Sequence, residues 1–379
     1  MSDVLVINGR AIRPGEQALI NLYVSKLPTH TVIELPIYIY RAREPGPVLL
    51  LTAGLHGDET NGIEIVRRMI RRKMLQPIVG TVIAVPLVNV YGFLQSSRAL
   101  PDGKDLNRSF PGSLRGSLAQ RVAHTIMHEV VPLVDWGIDF HTGGANRSNY
   151  PQIRCVTAVP QNLELGRAFG APFLMDAKLI DKSFRKAAHK LGKYVVVYEG
   201  GESMRFDELA IQEGIRGAQR VMAHFGMKPA DVVLPKAPPS VLIKESSWVR
   251  ARQAGLFSPL VPLGARIRRG EKIGRLTDPY GEHEYVVKAA ADGYLLGVNY
   301  APVVNGGDAL FHIGIDADMM RDKRARRRKQ RPEGTAPPGI AVFEEPTKWS
   351  GEPAVLRSVA NQPADQRVQD GQYDAEDQG

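Results

Sequence analysis

Continuous apolar runs alternate with amphipathic segments, and this feature limits the fold of the chain more than any other. The run VLLLTAGL, residues 48–55, is apolar at nearly every position, which is typical of a strand buried on both faces. In the next segment, Ile63, Val66 and Ile70 recur at helical spacing, with arginines on the other side. A buried strand followed by an amphipathic helix predicts an α/β protein whose mostly parallel sheet is flanked by helices.

The alternation continues to about residue 235, so we predict one α/β domain over residues 1–235. Strand-like segments are TVIAVPLVNV, WGIDF and KYVVVYEGG. Helix-like segments are SLAQRVAHTIMHEVVPLV, NLELGRAFG, SFRKAAHKLG and FDELAIQEGIRGAQRVMAHFG. Ser117 is a suitable N-cap for the first of these helices.

A second block begins after the proline-rich linker VVLPKAPPSVL. Residues 240–316 contain short strand-like segments separated by glycine turns, which predict a smaller all-β domain, either a sandwich or a barrel. The segments GARIRRGEKIGRL and AAADGYLLG resemble biotinyl/lipoyl carrier domains, but the hairpin DPYGEHEY lacks the acceptor lysine of such domains. The block therefore resembles a carrier fold without carrier chemistry.

Charge is distributed unevenly along the chain, which has a formal net charge of +9. The run from Arg321 to Arg331 holds eight basic residues and one acidic residue, whereas residues 332–379 hold three basic and nine acidic residues. This composition predicts a disordered tail over residues 317–379. A basic run can contact nucleic acid or another anionic surface, but one short run does not favour nucleic acid as a partner.

The first residues, the apolar runs and the single cysteine bear on the expected location of the protein in the cell. Its start lacks the basic residues and apolar stretch of a signal peptide, and no apolar run reaches the roughly 18 residues of a membrane span. Cys155 is the only cysteine, so an intrachain disulfide is excluded. We therefore expect a cytoplasmic protein without a membrane partner. The sequence leaves the oligomeric state open, a homo-oligomer included.

Histidines and carboxylates follow three of the predicted strands. His56 and Glu59 follow the run VLLLTAGL, His141 follows WGIDF, and Glu199 follows KYVVVY. In open α/β sheets, functional groups collect at the carboxyl ends of the strands. Two histidines and one carboxylate form the ligand set of an open Zn²⁺ site, and these ligand types suit zinc. His56, Glu59 and His141 are therefore candidate ligands of a zinc ion.

Asp139 precedes His141 by two residues in an extended strand, so both side chains lie on one side and the carboxylate can hold the imidazole. The simpler alternative is that each candidate histidine bonds its local backbone. His124 and His128 lie four residues apart on a predicted helix, a spacing that can bind metal, but no glutamate follows the first of them as in a zinc protease motif. We interpret this second pair as ordinary helix histidines.

Four motifs, in the order GLHGDETNG, DLNRSFPG, DFHTGG and YEGGE, resemble those of the succinylglutamate desuccinylase/aspartoacylase family, which is related to the zinc carboxypeptidases. The resemblance covers residues 50–235, and the β-rich block is similar to the C-terminal domain of that family. It implies a zinc-carboxypeptidase-like fold and a zinc site with His56, Glu59 and His141 as its ligands. We expect one zinc ion per chain, and the sequence leaves open a second metal or another divalent ion. It also implies that Glu199 is the catalytic acid/base.

The resemblance extends to residues that contact the substrate. It implies that Asn107 and Arg108 hold a carboxylate of the substrate and that Arg98 polarises the scissile carbonyl. An arginine fork matches a carboxylate in shape and charge, and an amide adds a donor. The alternative for both arginines is that they merely keep a polar loop soluble.

These residues predict a zinc-dependent amidohydrolase, a deacylase that cleaves the amide bond of an N-acyl amino acid or a related small N-acyl amine. We expect a small substrate that carries a carboxylate. Members of the family act on acidic N-acyl amino acids or on N-acetyl-diaminobutyrate, and the shared catalytic set does not distinguish between them. Arg147 and Arg154 could favour an acidic acyl group, or they could be surface residues.

Two other functions stay open at this point. The same zinc site could serve a carboxypeptidase that trims the C-termini of peptides or proteins, although a large β domain over the site favours small substrates. A non-enzymatic, metal-bearing scaffold is the second alternative. An intact Glu199 speaks against the scaffold, because a scaffold needs no base beside its metal.

Overall fold

A sheet of twelve strands runs through the residues that the computed structural model describes, which are 4–26 and 29–316. The strands are β1 Leu5–Ile7, β2 Arg10–Ile12, β3 Gln17–Lys26, β4 Val32–Arg41, β5 Glu44–Ala53, β6 Val79–Val85, β7 Trp136–Gly143, β8 Arg147–Cys155, β9 Phe173–Asp176, β10 Tyr194–Glu202, β11 Val241–Arg250, β12 Gly255–Pro259, β13 Arg266–Ile267, β14 Lys272–Thr277, β15 Glu284–Lys288, β16 Gly293–Asn299, β17 Val303–Val304 and β18 Ala309–Asp316. The helices are α1 Thr60–Arg71, α2 Val90–Leu94, α3 Leu118–Glu129, α4 Pro160–Phe169, α5 Phe184–Lys190 and α6 Glu208–His224, and short 3-10 turns cover Leu106–Arg108 and Val131–Leu133.

The order of the strands in the main sheet is β13-β16-β18-β11-β9-β8-β10-β7-β5-β6-β4-β3. Its centre, β10-β7-β5-β6, is parallel, and β8 runs antiparallel to β10. Strands β9 and β11 run parallel to β8, whereas the strands at the two ends of the sheet pair antiparallel. The predicted α/β class is confirmed. The sheet as a whole is mixed, although four of the seven pairings between main-sheet strands of residues 1–235 are parallel, so the prediction of a mostly parallel sheet holds only for that part. Residues 144–146 alone separate β7 from β8, and this link is too short for the crossover that a parallel strand requires.

Alternate residues of the central strands point into two different cores. Leu50 of β5 packs on the face that α3 and α5 cover. Leu49 and Leu51 pack on the other face, which α1, α4 and α6 cover. This arrangement explains why β5 is apolar at consecutive positions, as predicted for a strand with two buried faces.

Local sequence signals set the ends of several helices. Ser117 accepts a hydrogen bond from the backbone N–H of Gln120, whose side chain accepts one from the backbone N–H of Ser117, so the predicted N-cap of α3 is confirmed as a capping box. Helix α4 ends at Gly170, whose φ of 70° is left-handed and suits glycine. No helix among the described residues is both long and apolar enough to cross a membrane.

Between residues 241 and 316, the described chain forms strands and no helix. Strands β11, β13, β16 and β18 extend the main sheet, whereas β12, β14, β15 and β17 form a four-stranded sheet of their own. This part of the chain is thus all-β, as expected, but it shares a sheet with the α/β part. The domain boundaries at residues 235 and 240 stay predictions, and the predicted tail at 317–379 lies outside the described residues.

Candidate active site

The loop between β5 and α1 carries His56 and Glu59, and the position of α1 brings this loop to β7. Glu59 is the N-cap residue of α1. In the first turn of this helix, a Cβ on Gly62 would come within 2.7 Å of the carbonyl oxygen of Phe140. Since Phe140 directly precedes His141, the close contact at Gly62 places the start of α1, and Glu59 with it, beside His141.

The Glu59 carboxylate lies between the imidazoles of His56 and His141. Its Oε1 is 2.6 Å from Nδ1 of His56, and its Oε2 is 2.8 Å from Nδ1 of His141. The three side chains form a group whose ligand atoms all lie within 4.8 Å of one another. They are almost fully buried, with exposed fractions of 2%, 2% and 4% for His56, Glu59 and His141. The structure therefore brings the three predicted metal ligands together.

The opposite ring nitrogens are held by two aspartates. Nε2 of His56 is 3.1 Å from Oδ1 of Asp105, and Nε2 of His141 is 2.8 Å from Oδ2 of Asp139. Asp139 is itself fixed, because Thr52 Oγ1 donates to its other oxygen at 2.8 Å. When Nε2 donates to a carboxylate, Nδ1 carries the lone pair that a metal needs. Two such nitrogens and one carboxylate suit zinc, so the donor set fits this ion.

The charges in this cluster stabilise one another. Burial alone would raise the pKa of Glu59, but the imidazoles of His56 and His141 outweigh it and hold that pKa well below its usual value. Burial likewise opposes protonation of His141, yet the carboxylates of Asp139 and Glu59 raise its pKa well above the usual value. Each group therefore depends on its neighbours to keep its charge in a buried place.

Arg98 joins the cluster from the loop that follows α2. Its Nη1 donates to Oε1 of Glu59 at 3.2 Å, and its Nη2 donates to Oδ2 of Asp105 at 3.0 Å. Sequence reasoning missed Asp105, although it opens the motif DLNRSFPG. Its position before the 3-10 turn is a local signal for a capping residue, and its Oδ1 does accept from the backbone N–H of Asn107 at 2.7 Å. Nothing local indicates its contact with His56, which is 49 residues away in the chain.

Glu199 lies inside β10, beside a bulge, and not at the end of a strand as the sequence suggested. It is the register partner of His141 on β7 and of Gln152 on β8. Its Oε2 accepts a hydrogen bond from Nδ2 of Asn149 at 3.0 Å, and its Oε1 is 3.7 Å from Nη1 of Arg154. Arg154 is buried, so the alternative that it is a surface residue is wrong.

Asn107 and Arg108 lie in the 3-10 turn near the start of α5. Oδ1 of Asn107 accepts from the backbone N–H of Phe184 at 2.9 Å, which fixes the orientation of the amide. Arg108 donates from Nη1 to the backbone oxygen of Asn107 at 3.0 Å. The next residue on α5, Arg185, was also missed by sequence reasoning. Its guanidinium is buried, its Nη1 has no hydrogen-bond partner among the described residues, and burial lowers its pKa to about 10.

His124 and His128 lie on α3 and form no part of this cluster. Their rings stack with centroids 5.6 Å apart, and the side chain of His128 is 70% exposed. His56, Glu59 and His141 are the one group of three potential metal ligands found in residues 4–26 and 29–316. The interpretation of the second pair as ordinary helix histidines agrees with this arrangement.

The fold and the site together define a class of protein: an α/β protein with a buried His-Glu-His cluster, which could hold a metal ion, at its central strands. The family of the succinylglutamate desuccinylase/aspartoacylase catalytic domain matches residues 45–225. The N-alpha-acetyl-L-2,4-diaminobutyric acid deacetylase of Halomonas elongata is 31% identical over 295 residues, which cover 73% of this chain and 84% of that protein. The chain belongs to the succinylglutamate desuccinylase/aspartoacylase family, as its motifs predicted.

Solved structures share the fold over most of their length. A succinylglutamate desuccinylase/aspartoacylase from Rhodobacter sphaeroides is 26% identical with a TM-score of 0.67, and the match covers 80% of this chain and 96% of that one. The ectoine utilization protein EutE (DoeB) from Ruegeria pomeroyi, in a product-bound structure, is 22% identical with a TM-score of 0.70. That match covers 83% of this chain and 99% of the other, so the β-rich part belongs to the shared fold.

Proposed function

We propose that this protein is a zinc-dependent amidohydrolase that cleaves the acyl group from an N-acyl amino acid or a related small N-acyl amine. The observation that carries the proposal is the buried cluster of His56, Glu59 and His141, which lies one strand away from the carboxylate of Glu199. His56, Glu59 and His141 would hold a single zinc ion, as in open zinc sites with three protein ligands. The similarity to a deacetylase of Halomonas elongata supports amide hydrolysis.

A bound zinc ion supplies Lewis acidity, which activates water and polarises a carbonyl group. Asp105 and Asp139 orient the two histidines for metal binding. They hold Nε2 of His56 and of His141, so that both Nδ1 atoms face Glu59. Zinc is favoured over magnesium or calcium because two imidazoles contribute to the set.

Glu199 would serve as the acid/base of the reaction. It takes a proton from the attacking water and delivers it to the leaving amine. Asn149 orients the carboxylate through the hydrogen bond to Oε2, and Nη1 of Arg154 lies 3.7 Å from Oε1. Asn149 is therefore a positioning residue for Glu199.

A carboxylate of the substrate would bind at Asn107 and Arg108. The bond from Phe184 turns the amide oxygen of Asn107 toward α5, which leaves its N–H donors on the opposite side. Arg185 directly follows Phe184, so it lies near Asn107. Its buried guanidinium has an Nη1 without a hydrogen-bond partner among the described residues. These donors match the two oxygens of a carboxylate.

Arg98 would stabilise the negative charge that develops on the scissile carbonyl oxygen. Its bonds to Glu59 and Asp105 hold the guanidinium at the border of the cluster, so no reorientation is needed during the reaction. The position of the C-terminal strands favours a small substrate over a long peptide. Strand β16 pairs with β8 at Asn149, so the C-terminal part of the chain lies beside the site. The carboxypeptidase alternative requires room for a peptide chain there.

The proposal is tested by metal analysis and hydrolysis assays of the wild type and Glu199→Gln. We expect about one zinc per chain in both proteins. Hydrolysis should fall roughly 10²–10⁴-fold in the variant, which is the usual contribution of a general acid/base. The panel contains N-acetyl and N-succinyl amino acids, N-acetyl-diaminobutyrate and short peptides.

Glu164→Gln is the matched control, because Glu164 is an exposed carboxylate on α4 that pairs with His224. This variant should keep full activity. Hydrolysis of peptides alone would replace the deacylase function with the carboxypeptidase function. A wild type that binds no metal would contradict the proposal at its first step.

A further inference from the structure

A groove with a volume of about 390 Å³ lies between α3 and α5. Phe110 and Met127 line it and are only 2% and 8% exposed, so they form its apolar floor. Leu191, which follows α5 and is 50% exposed, forms an apolar edge. Sites for small molecules are concave, mostly apolar and about 300–1,000 Å³ in volume. The groove therefore has the size and lining of a site for a small molecule.

Backbone contacts hold the walls of the groove together. The backbone N–H of Phe110 donates to the carbonyl oxygen of Lys182 at 3.0 Å, and the ring of Phe110 packs on that of Phe184 with centroids 5.1 Å apart. At the other wall, a Cβ on Gly112 would lie 2.3 Å from the backbone nitrogen of His124, so this loop packs directly on α3. The groove is thus built into the fold, as sites for small molecules usually are.

Three lysines, Lys182, Lys186 and Lys190, border the apolar floor. They stand four residues apart, which places Lys186 and Lys190 on one side of α5. Lys186 forms an ion pair with the exposed carboxylate of Asp181. The amines of Lys182 and Lys190 have no hydrogen-bond or ion-pair partner among the described residues. Two unpaired cations therefore lie beside apolar surface.

No carboxylate competes for these cations inside the groove. Among the described residues, none that lines the groove is acidic. Glu129 is the only acidic residue of α3, and its carboxylate already accepts from the backbone N–H of Asn8 and lies 3.1 Å from Nδ1 of His128. Helix α5 has no acidic residue at all. The charge around the groove therefore favours an anion.

We propose that this groove binds a small amphiphilic anion, an aliphatic carboxylate, at a site separate from the proposed active site. The carbon chain would lie on Phe110, Met127 and Leu191, and the carboxylate would pair with the amines of Lys182 and Lys190. A volume of 390 Å³ corresponds to roughly 13 water molecules at about 30 Å³ each, which is room for a chain of about eight carbon atoms and its carboxylate. The proposal does not depend on the deacylase function.

Calorimetric titration of the full chain with octanoate, octanol and acetate tests the proposal. Octanoate carries both the chain and the charge that the groove would recognise. Octanol lacks the charge and acetate lacks the chain, so both should bind at least about 10-fold more weakly than octanoate. Equal affinity of octanol and octanoate, or no binding of octanoate at millimolar concentration, would overturn the proposal.

A double variant, Lys182→Gln with Lys190→Gln, removes the two unpaired cations. It should weaken octanoate binding roughly 5- to 30-fold, because each exposed ion pair contributes a factor of about two to five. Lys272→Gln with Lys288→Gln is the matched control, since it removes the same charge from the paired strands β14 and β15. The control should bind octanoate as the wild type does. An equal loss in both double variants would mean that net charge alone governs binding.

Two further variants locate the site. Leu191→Glu places a carboxylate at the exposed edge of the groove and should weaken octanoate binding without lowering Tm. Arg108→Gln changes the proposed active site, which could also bind a carboxylate, and should leave the affinity for octanoate unchanged. If Arg108→Gln abolished binding while the groove variants retained it, octanoate would bind at the active site and the proposal would be wrong.

Discussion

Each candidate histidine ligand is held on its outer nitrogen by an aspartate: His56 by Asp105 and His141 by Asp139. These bonds set the direction of each ring and keep the proton on Nε2, so that Nδ1 is the nitrogen left for a metal. Glu59 then lies between the two inner nitrogens and receives a further bond from the backbone N–H of Thr142 at 3.1 Å. The geometry of the centre therefore depends on residues outside the ligand set.

Replacement of Asp139 tests this dependence. In Asp139→Asn the imidazole of His141 loses a charged acceptor, so zinc affinity should fall roughly 10- to 100-fold. Competition with a chromophoric chelator measures the affinity. Asp135→Asn is the control, because Asp135 lies four residues earlier and accepts from the backbone N–H of Val48, far from the ligands. Equal affinity of Asp139→Asn and the wild type would contradict the orienting role.

His312 makes the stability of the protein depend on pH. It stacks on Trp248 with ring centroids 4.8 Å apart, and burial, together with the charges of Arg154 and Arg147, lowers its pKa to about 3. The unfolded chain takes up a proton near pH 6.5 whereas the folded chain does not, so stability falls as the pH drops below 6.5. The loss from this group should reach about 2 kcal/mol at pH 5.

The measurement is urea unfolding at pH 7 and pH 5 of the wild type and His312→Phe, which keeps a ring on Trp248. The difference in stability between the two pH values should be smaller in the variant by about 2 kcal/mol. His128→Gln, at an exposed position on α3, should retain the pH dependence of the wild type. If His312→Phe also retained it, the buried histidine would not be its source.

At the scale of elements, the position of α1 on β7 decides whether the ligands meet. The contact depends on Gly62, where a Cβ would lie 2.7 Å from the carbonyl oxygen of Phe140. Helix propensity alone favours alanine over glycine by about 1 kcal/mol. Here the clash with the strand dominates, because the atom that a Cβ would meet is a backbone oxygen and not the end of a flexible side chain.

Gly62→Ala should therefore lower the free energy of unfolding by about 1–3 kcal/mol, as overpacking does. It should also weaken zinc binding, since α1 carries Glu59 away from His141. Chemical denaturation and zinc titration measure the two effects. Gly306→Ala is the control, because its nearest contact is at 3.7 Å and the added methyl group fits. Full zinc affinity in Gly62→Ala would show that the helix position is not critical.

At the scale of the whole molecule, the described α/β and β-rich parts share one sheet. Strand β9 pairs with β11, and β8 pairs with β16. A small apolar core joins them, with Phe173 and Met175 from one part and Ile243 and Leu296 from the other. The two parts are thus held together by backbone hydrogen bonds as well as by side-chain packing.

A fragment that ends at residue 235 tests this coupling. It would expose the edge of β9 and the apolar side chains of Phe173 and Met175, which favours aggregation. We expect the fragment to be insoluble or to unfold without cooperativity, whereas the full chain unfolds cooperatively. Circular dichroism during thermal unfolding checks this expectation. A soluble, cooperatively folding fragment would instead support an independent domain over residues 1–235.

Much of the site follows from the sequence because its signals are local. His56 and Glu59 stand in one short loop, and His141 and Asp139 share a face of one strand through the two-residue period. The motifs around them identify the family, whereas the assignments of Glu199, Arg98, Asn107 and Arg108 as catalytic or binding residues stay predictions. Local patterns of this kind also predicted the N-cap at Ser117 and a helix that ends at Gly170.

The remaining features depend on contacts between distant segments. The bond of Asp105 to His56, the bond of Asn149 to Glu199 and the row that joins Gln152 to Glu199 all depend on strand order and register. The mixture of parallel and antiparallel pairings in the sheet likewise depends on strand order. By itself the sequence determined the candidate ligands, the alternation of strands and helices, and the family. Tertiary structure alone decided which buried polar groups face one another, because pairing across strands depends on register that no local pattern records.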